Sequence, residues 1–278
     1  MTRGKWADSG QFRGMGRLLL TRMALTAGRS IRYSGWAAAS AAPKERERMK
    51  IYGLQKMTLL DFPGRVACTV FLGGCDFRCP FCHNFELVDG TASPLMDVDE
   101  LFAFLEKRRG LLDGVAITGG EPCLWPDLPD LMRRVQDMGY GVKLDTNGAH
   151  PDRLAEIMRE GLADYVAMDV KNSPGKYAQT CGVERLDLAP IRESARLLMT
   201  GDADYEFRTT VVDELHEAGD FEAVGEWIAG AKRWFLQAFT DRDSVPYGNL
   251  HAPSKDRMLE YLAVARRYVA DSQLRGVD

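Results

Sequence analysis

Short apolar runs and amphipathic helical patterns alternate along the chain from about Val66 onward. The apolar runs predict strands, in chain order, at Val66–Leu72, Val115–Thr118, Val142–Asp145, Tyr165–Asp169, Tyr205–Val212 and Trp234–Phe239. Strands separated by helical segments are typical of βα units, in which neighbouring strands pair in parallel.

The segments between these strands carry the spacing of amphipathic helices. Val98, Leu101, Phe102 and Leu105 follow the i, i+3, i+4, i+7 pattern, which places apolar side chains on one helix face. The same pattern predicts helices at Leu128–Met138, Arg153–Arg159, Ile191–Met199, Phe221–Ala229 and Asp256–Val269. These strand–helix units predict an α/β fold, an incomplete TIM-like (β/α)6 barrel rather than a closed eight-stranded one.

Polar motifs stand mostly at the carboxyl ends of the predicted strands. They are, in order, a cysteine loop, Gly119-Gly120-Glu121-Pro122, Asp145-Thr146-Asn147-Gly148 and Asp169-Val170-Lys171, followed by Arg208 and Gln237 within the last two strands. Parallel barrels build their active sites at the carboxyl ends of their strands. The sequence therefore predicts that these residues share one site.

Charge divides the chain of 278 residues into two parts. Residues 1–48 hold ten Lys or Arg against three acids, and the chain total of −4 then leaves −11 for residues 49–278. The first part resembles an organelle-targeting peptide in composition. We expect it to be a basic N-terminal extension, either disordered or a wrongly assigned start, because Met49 opens a strand-like segment. Residues 49–278 then form one domain.

The composition of residues 49–278 excludes some functions. An acidic surface repels phosphate backbones, so no nucleic-acid partner is expected. No run of about 18 uncharged apolar residues occurs, so no membrane segment is expected. Closely spaced cysteines favour a reducing compartment, and we expect a cytoplasmic protein. Three scattered cysteines, Cys68, Cys123 and Cys181, are expected to be buried as small apolar residues.

Three cysteines lie in one short loop, as Cys75-Asp76-Phe77-Arg78-Cys79-Pro80-Phe81-Cys82. Three thiolates can hold three irons of a [4Fe–4S] cluster, which normally takes four, so one iron stays open to another ligand. The alternative is a zinc site, which usually takes four ligands in two separated pairs. His83 is poorly placed to join such a site, and neither Cys123 nor Cys181 has a partner at short spacing. The pattern favours iron–sulfur chemistry.

The other motifs each have a structural alternative. The Gly119-Gly120 pair is typical of a tight turn but also lets a ligand approach the backbone, and Glu121 could accept from an ammonium group. Asn147-Gly148 is a common turn dipeptide. Asp169 and Lys171 point to the same side of a strand. They could hold a zwitterion or form a surface ion pair.

Two further residue types complete the candidate list. A charge inside an apolar strand usually has an anionic partner, so we favour a site role for Arg208. His150, His216 and His251 stand near helix starts or loops, and we expect each of them to be solvated.

The cysteine spacing together with Gly119-Gly120-Glu121-Pro122 resembles the radical S-adenosylmethionine (SAM) enzymes, over nearly all of residues 50–240. Cys79-Pro80-Phe81-Cys82-His83-Asn84, the Asp145 motif and the Asp169 motif look like those of glycyl-radical-enzyme activases. The opening at 54–64, Leu-Gln-Lys-Met-Thr-Leu-Leu-Asp-Phe-Pro-Gly, resembles the longer form of anaerobic ribonucleoside-triphosphate reductase activating protein.

The resemblance implies a barrel of the radical SAM type with one [4Fe–4S] cluster and SAM as cofactors. Cys75, Cys79 and Cys82 would hold the cluster, which is both the metal site and the catalytic centre. The resemblance also implies contacts with SAM. Phe81 would lie beside the adenine, Gly119, Gly120 and Glu121 at the methionine amine, and Arg208 near the carboxylate. Asp145, Asp169 and Lys171 would contact the amino, ribose or carboxylate groups, and Asn147, in the Asp145 motif, would also contact SAM.

The resemblance also implies partners. Flavodoxin or ferredoxin would supply an electron, and a glycyl radical enzyme, expected to be anaerobic ribonucleotide reductase, would lose a hydrogen from a glycine α-carbon. Open alternatives are an activase of pyruvate formate-lyase or of another glycyl radical enzyme, and a small-molecule enzyme such as 7-carboxy-7-deazaguanine synthase. A non-catalytic iron–sulfur or zinc scaffold is a further alternative.

Two departures from the activase pattern stand out. Gln237 and Phe239 occupy a stretch where some activases place a histidine near the nucleoside. No cysteine lies between Cys82 and Gly119, so the ferredoxin-like insert of some activases is missing.

Counting irons tests the single-cluster expectation. The chain reconstituted under anaerobic conditions should hold about four irons and about four acid-labile sulfides, because one cubane contains that number. Iron and sulfide assays per chain give the measurement. About eight irons per chain would contradict the expectation of one [4Fe–4S] cluster.

Overall fold

The predicted strands pair side by side in one sheet. The computed structural model describes residues 48–277. The extension expected at residues 1–48 lies outside the described residues apart from Arg48, and its boundary stays a prediction. The strands are β1 (Lys50–Thr58), β2 (Ala67–Leu72), β3 (Met96–Asp97), β4 (Gly114–Gly119), β5 (Gly141–Thr146), β6 (Tyr165–Asp169), β7 (Asp204–Val211), β8 (Trp234–Ala238) and β9 (Ser272–Arg275).

Helices connect most of these strands. They are α1 (Phe85–Asp89), α2 (Val98–Glu106), α3 (Leu128–Asp137), α4 (Pro151–Arg159), α5 (Tyr177–Thr180), α6 (Ala189–Thr200), α7 (Ala218–Trp227) and α8 (Lys255–Ala265), with a 3-10 turn at Pro122–Leu124. In α2, Asp97 and Glu100 each accept the other's backbone N–H in a capping box. Leu101 and Leu105 lie one turn apart and are buried, each stabilising the fold by roughly 1.5–3 kcal/mol.

The sheet is an open barrel, as predicted. Its strand order is β3-β1-β2-β4-β5-β6-β7-β8-β9, and its two edge strands do not pair with each other in the part of the chain that the structure describes. Every neighbouring pair from β2 to β9 is parallel, whereas β1 runs antiparallel to β2 and β3. The parallel strands therefore end together at one edge, where the polar motifs meet.

The structure adds edge strands to the six predicted ones. β3 and β9 are two and four residues long and mostly polar, so they lack the apolar run that marks the central strands. Among the helices of residues 48–277, none combines the length and apolar character that a membrane crossing requires.

A buried ion pair connects β9 to the interior of the barrel. Glu206 of β7 is 1% exposed and accepts from both terminal nitrogens of Arg275, at 2.7 and 2.8 Å, and from the Tyr165 hydroxyl at 2.7 Å. Burial opposes ionisation of Glu206, but these donors outweigh it and hold the pKa of its carboxyl below the usual range. β9 is thus attached to the sheet by charge as well as by backbone pairing.

Removing the arginine should destabilise the fold. We expect Arg275→Met to lower the unfolding free energy by about 2 kcal/mol, less than the 3–5 kcal/mol typical of a fully buried pair, because the Arg275 side chain is 37% exposed. Since the folded pKa of Glu206 is depressed, the pair stabilises above the unfolded pKa of about 4.3, and the difference should shrink as pH falls below it. Urea unfolding of wild type and variant, at one pH above and one pH below this pKa, measures the difference in unfolding free energy.

The matched control is Arg267→Met, which breaks an exposed pair with Glu222. We expect it to cost less than about 1 kcal/mol. If both variants lost the same unfolding free energy, burial of Glu206 would not make the Arg275 pair more stabilising than an exposed pair.

Candidate active site

The cysteine loop follows β2 and lines a cavity at the carboxyl ends of the parallel strands. Cys75, Cys79 and Cys82 all border this cavity, whose volume is about 260 Å³, and all three are free thiols. The loop begins where the Gly74 N–H donates to the Leu87 carbonyl of α1 at 2.8 Å. It therefore presents three sulfur donors to one space.

The chemistry of these thiols fits an iron–sulfur cluster. Burial raises the pKa of Cys75, and it raises that of Cys82 to about 11. A cationic partner such as iron is what turns buried thiols of this kind into thiolates. Across residues 48–277, His, Cys, Asp and Glu side chains form no compact group of three around a single metal ion. A cubane instead takes its thiolates at separate irons.

The glycine pair interlocks β4 with the cysteine loop. The Gly120 N–H donates to the Leu72 carbonyl at 2.9 Å, and the Glu121 N–H donates to the Gly74 carbonyl at 2.7 Å. A Cβ on Gly120 would lie 1.9 Å from the Gly74 oxygen, and Gly119 has a φ of +127°. Both positions line the cavity, yet they require glycine because neighbouring backbone fills the side-chain space.

Glu121 has a different orientation from the one expected. Its carboxylate is fully buried and accepts from the Cys123 N–H at 3.0 Å, the Thr146 hydroxyl at 2.8 Å and the Asn147 N–H at 2.6 Å. It is not among the residues that border the cavity, and burial raises its pKa. Glu121 is the N-cap of the 3-10 turn, so its side chain caps that turn and connects it to the end of β5 instead of lining the cavity.

Charged side chains alternate across the ends of β5, β6 and β7. Arg208 lies between two carboxylates, with Nε 2.9 Å from Asp169 Oδ1 and Nη1 3.2 Å from Asp145 Oδ2. Lys171 Nζ lies 2.8 Å from the second Asp169 oxygen, and Lys143 contacts Asp145. We call these five residues the charge ladder. Its three cations and two anions leave one net positive charge, which suits a ligand carboxylate.

Four members of the charge ladder are ionised at neutral pH: Asp145, Asp169, Lys171 and Arg208. Burial opposes charge on each of the following groups, but opposite charges outweigh it. Arg208 and Lys171 hold the pKa of Asp169 at about 2. Arg208 and Lys143 also lower the pKa of Asp145, and Asp169 raises the pKa of Lys171 well above its usual range. Lys171 and Arg208 therefore stay positively charged over the whole physiological pH range.

Phe81 and Asn147 border the cavity on the cysteine side. Phe81 is 5% exposed and stands between two of the cysteines, the position expected beside the adenine. Asn147 Nδ2 lies 3.8 Å from the Cys75 sulfur, and its Oδ1 accepts the Ala149 N–H at 2.8 Å. The side chain of Asn147 thus contacts a predicted cluster ligand.

Another part of the cavity wall is formed by β7 and β8. Thr210 and Gln237 are register partners and both line the cavity. Phe239 is not among the wall residues; its ring stacks on His83 with centroids 5.8 Å apart. His83 Nε2 lies 2.6 Å from the Thr240 carbonyl oxygen. Of the stretch that departs from the activase pattern, Gln237 is the residue that reaches the site.

The expectation that His216 is solvated is wrong. The Val212 N–H donates to Nδ1 at 3.1 Å, so Nε2 carries the proton and donates to the Lys171 carbonyl at 2.9 Å. Burial lowers the pKa of His216 and keeps the ring neutral. His216 thereby fixes the backbone of Lys171, a role that its place near a helix start does not reveal in sequence.

The expected burial of Cys68, Cys123 and Cys181 is confirmed.

The structure brings the predicted residues together with one exception. The cavity is bordered by all of the predicted cluster and SAM residues apart from Glu121, namely Cys75, Cys79, Phe81, Cys82, Gly119, Gly120, Asp145, Asn147, Asp169, Lys171 and Arg208. An open parallel α/β barrel with a three-thiol loop beside the charge ladder defines a class of metal-dependent enzymes that bind a charged co-substrate at the strand ends.

Comparison with known families identifies that class. The family described as the Radical SAM superfamily matches residues 69–220, more than half of the chain. The chain belongs to the radical SAM superfamily, whose members use a [4Fe–4S] cluster and S-adenosylmethionine.

Relatives by sequence carry two kinds of activity. A Methanocaldococcus jannaschii protein with the provisional name glycyl-radical enzyme activating enzyme is 28% identical over 240 residues, 82% of this chain and 96% of its own. A pyruvate formate-lyase-activating enzyme of Clostridium pasteurianum is 30% identical over 44% of this chain and 52% of its own. A 7-carboxy-7-deazaguanine synthase of Methanopyrus kandleri is 27% identical over 57% and 71%.

Solved structures share the fold. SuiB of Streptococcus suis bound to S-adenosylmethionine superposes with a TM-score of 0.57 at 14% identity, over 73% of this chain and 48% of its own. TYW1 with a lysine–pyruvate adduct bound superposes with a TM-score of 0.56 at 15% identity, over 73% and 74%.

Removing the terminal cation of the charge ladder should weaken SAM binding. Lys171→Met leaves Asp169 paired with Arg208 and cancels the net positive charge, so we expect the dissociation constant for SAM to rise about tenfold, or ~1.4 kcal/mol. Calorimetry on the reconstituted protein gives the measurement, and iron content should be unchanged. Lys232→Met, at an exposed position, is the control. Equal SAM affinity in both variants would contradict this role of Lys171.

Proposed function

We propose that this chain is a radical SAM activase that generates a glycyl radical on anaerobic ribonucleoside-triphosphate reductase. The observation that carries the proposal is that a single cavity is bordered both by the three-thiol loop and by four members of the charge ladder, namely Asp145, Asp169, Lys171 and Arg208. The Methanocaldococcus jannaschii relative supports the activase class. The opening 54–64, which the structure places in β1 and the loop after it, supports the reductase as target through its resemblance.

The cavity wall suggests how the cofactors would be held. Cys75, Cys79 and Cys82 would bind the [4Fe–4S] cluster and leave one iron open to the amino and carboxylate groups of SAM. Lys171 and Arg208 would attract the carboxylate, the backbone at Gly119–Gly120 would border the ammonium, and Phe81 would pack on the adenine. Glu121 would act through Thr146 and Asn147, whose positions it fixes.

A bound cluster would supply the electron, taken from reduced flavodoxin or ferredoxin, for cleavage of the sulfonium carbon–sulfur bond of SAM, which would give methionine and a 5′-deoxyadenosyl radical. The residues of this chain orient the co-substrate and exclude water, with Phe77, Phe81 and Val88 as apolar parts of the wall. A species of that reactivity must arise beside its target. The glycine-bearing loop of the partner is therefore expected to complete the cavity.

Two other activities have specific support. Activation of pyruvate formate-lyase is favoured by the Clostridium pasteurianum relative, which matches less than half of this chain. Synthesis of 7-carboxy-7-deazaguanine is favoured by the Methanopyrus kandleri relative. The second alternative would need SAM and a pterin and no protein partner.

A radical-transfer assay tests the proposal. Reconstituted protein, SAM and dithionite are mixed under anaerobic conditions with purified anaerobic ribonucleotide reductase, pyruvate formate-lyase or a pterin substrate. We expect 5′-deoxyadenosine to form and a glycine-centred doublet to appear in the electron paramagnetic resonance spectrum of the reductase. A doublet on pyruvate formate-lyase instead, or product from the pterin, would replace the proposed target with one of the alternatives.

Paired cysteine variants sharpen this assay. Cys79→Ala should lose the cluster, the deoxyadenosine and the doublet together, because a predicted cluster ligand is gone. Cys68→Ala removes a thiol buried in β2 and should keep all three. Absence of deoxyadenosine from wild-type protein with an intact cluster would refute the catalytic function altogether.

A further inference from the structure

Cys181 lies against the cysteine loop although it is distant in sequence. It is fully buried at the end of α5, and its carbonyl accepts the Arg78 N–H at 2.8 Å. The next residue, Gly182, has a φ of +65°, and a Cβ there would lie 2.1 Å from the Arg78 carbonyl oxygen. The turn after α5 is thus pressed against the loop, which brings the Cys181 and Cys79 side chains together.

The two thiols are joined by a hydrogen bond between their side chains. Cys79 would bind iron as a thiolate, which has no proton to give and can only accept. Cys181 lies outside the cysteine loop and keeps its proton, so Cys181 would be the S–H donor and Cys79 the acceptor.

The other two cysteines of the loop receive different donors. The Cys75 sulfur accepts the Phe77 N–H at 3.4 Å and the Asn147 amide at 3.8 Å. Cys82 accepts a backbone N–H from Asn84. At Cys79, the side-chain donor is the thiol of Cys181, supplied from a separate element of the fold.

We propose that Cys181 raises the reduction potential of the cluster through its hydrogen bond to the Cys79 ligand. The inference rests on the proposed cluster ligands and is independent of which partner is activated. One-electron reduction adds negative charge to the cluster and its thiolates. A hydrogen-bond donor to a ligand sulfur stabilises the more negative, reduced state, and such bonds are among the factors that set cluster potentials.

This role makes Cys181 a positioning residue that acts through Cys79. This role differs from that of a fourth cluster ligand, because a fourth ligand would occupy the iron that SAM needs. A donor leaves the iron content and the SAM response of the cluster intact and changes the energy of its reduction. A ligand, when removed, changes the cluster itself.

Potentiometric titration followed by electron paramagnetic resonance measures the reduction potential of the cluster. The proteins are reconstituted wild type, Cys181→Ala, which has no donor, Cys181→Ser, which keeps a hydroxyl donor, and Cys68→Ala. At the wild-type midpoint, we expect the reduced-to-oxidised ratio to be about tenfold lower in Cys181→Ala, a shift of about 59 mV for one electron. Cys181→Ser should stay nearer to wild type, and Cys68→Ala should not differ from it.

Four outcomes would overturn the inference. They are an unchanged midpoint in Cys181→Ala, equal shifts in Cys181→Ala and Cys181→Ser, a shift of the same size in Cys68→Ala, and loss of iron or an altered SAM-free spectrum in Cys181→Ala. The last would identify a fourth ligand. A wild-type protein without any cluster would refute the proposed function as well, whereas the expected shifts without a glycyl radical would refute the proposed activation only.

Discussion

Opposite charges that alternate across three parallel strands are the interaction on which the site depends. Each of these groups is largely buried, and an unpaired buried charge is costly, so every cation of the ladder lies beside a carboxylate. Strand register sets this arrangement, since Arg208 is the direct partner of Asp169 in the parallel ladder of β6 and β7. A slip of one residue would turn Arg208 to the other face and leave Asp169 paired with Lys171 alone and Asp145 paired with Lys143 alone.

The cysteine loop is coupled to the charge ladder through backbone contacts. Gly120 packs on the loop with no room for a side chain, and the Glu121 carboxylate holds the end of β5, from which Asp145 projects. These contacts therefore join the loop, the glycine turn and the ladder in one arrangement. Such preorganisation lowers the ordering cost when a co-substrate must contact an iron and a carboxylate-binding group at once.

The sequence predicts the central strands and the shared site well, because both follow from local patterns. Apolar runs mark β2 and β4 to β8, and parallel strands necessarily end at one edge. It does not reveal β9, which is attached by backbone pairing with β8 and by the ion pair of Arg275 with Glu206 across β8. Nor does it show that Glu121 turns inward or that His216 supports Lys171. Those details depend on side-chain direction and on contacts between distant segments, which neither periodicity nor motif spacing encodes.

The relatives show that residues for the cluster and SAM alone do not determine the target of the reaction. Glycyl-radical activating enzymes and 7-carboxy-7-deazaguanine synthases match overlapping parts of this chain, although their names describe a protein target in one case and a small-molecule product in the other. Residues common to both activities can only serve steps that both share, namely holding the cluster and orienting SAM. Target choice must then reside where a second molecule meets the cavity. In this chain, Thr210 and Gln237 are uncharged side chains on the part of the cavity wall that β7 and β8 form. Because neither side chain is charged, this part of the wall does not compete with the charge ladder for a ligand carboxylate, and selectivity there must come from shape and neutral hydrogen bonds.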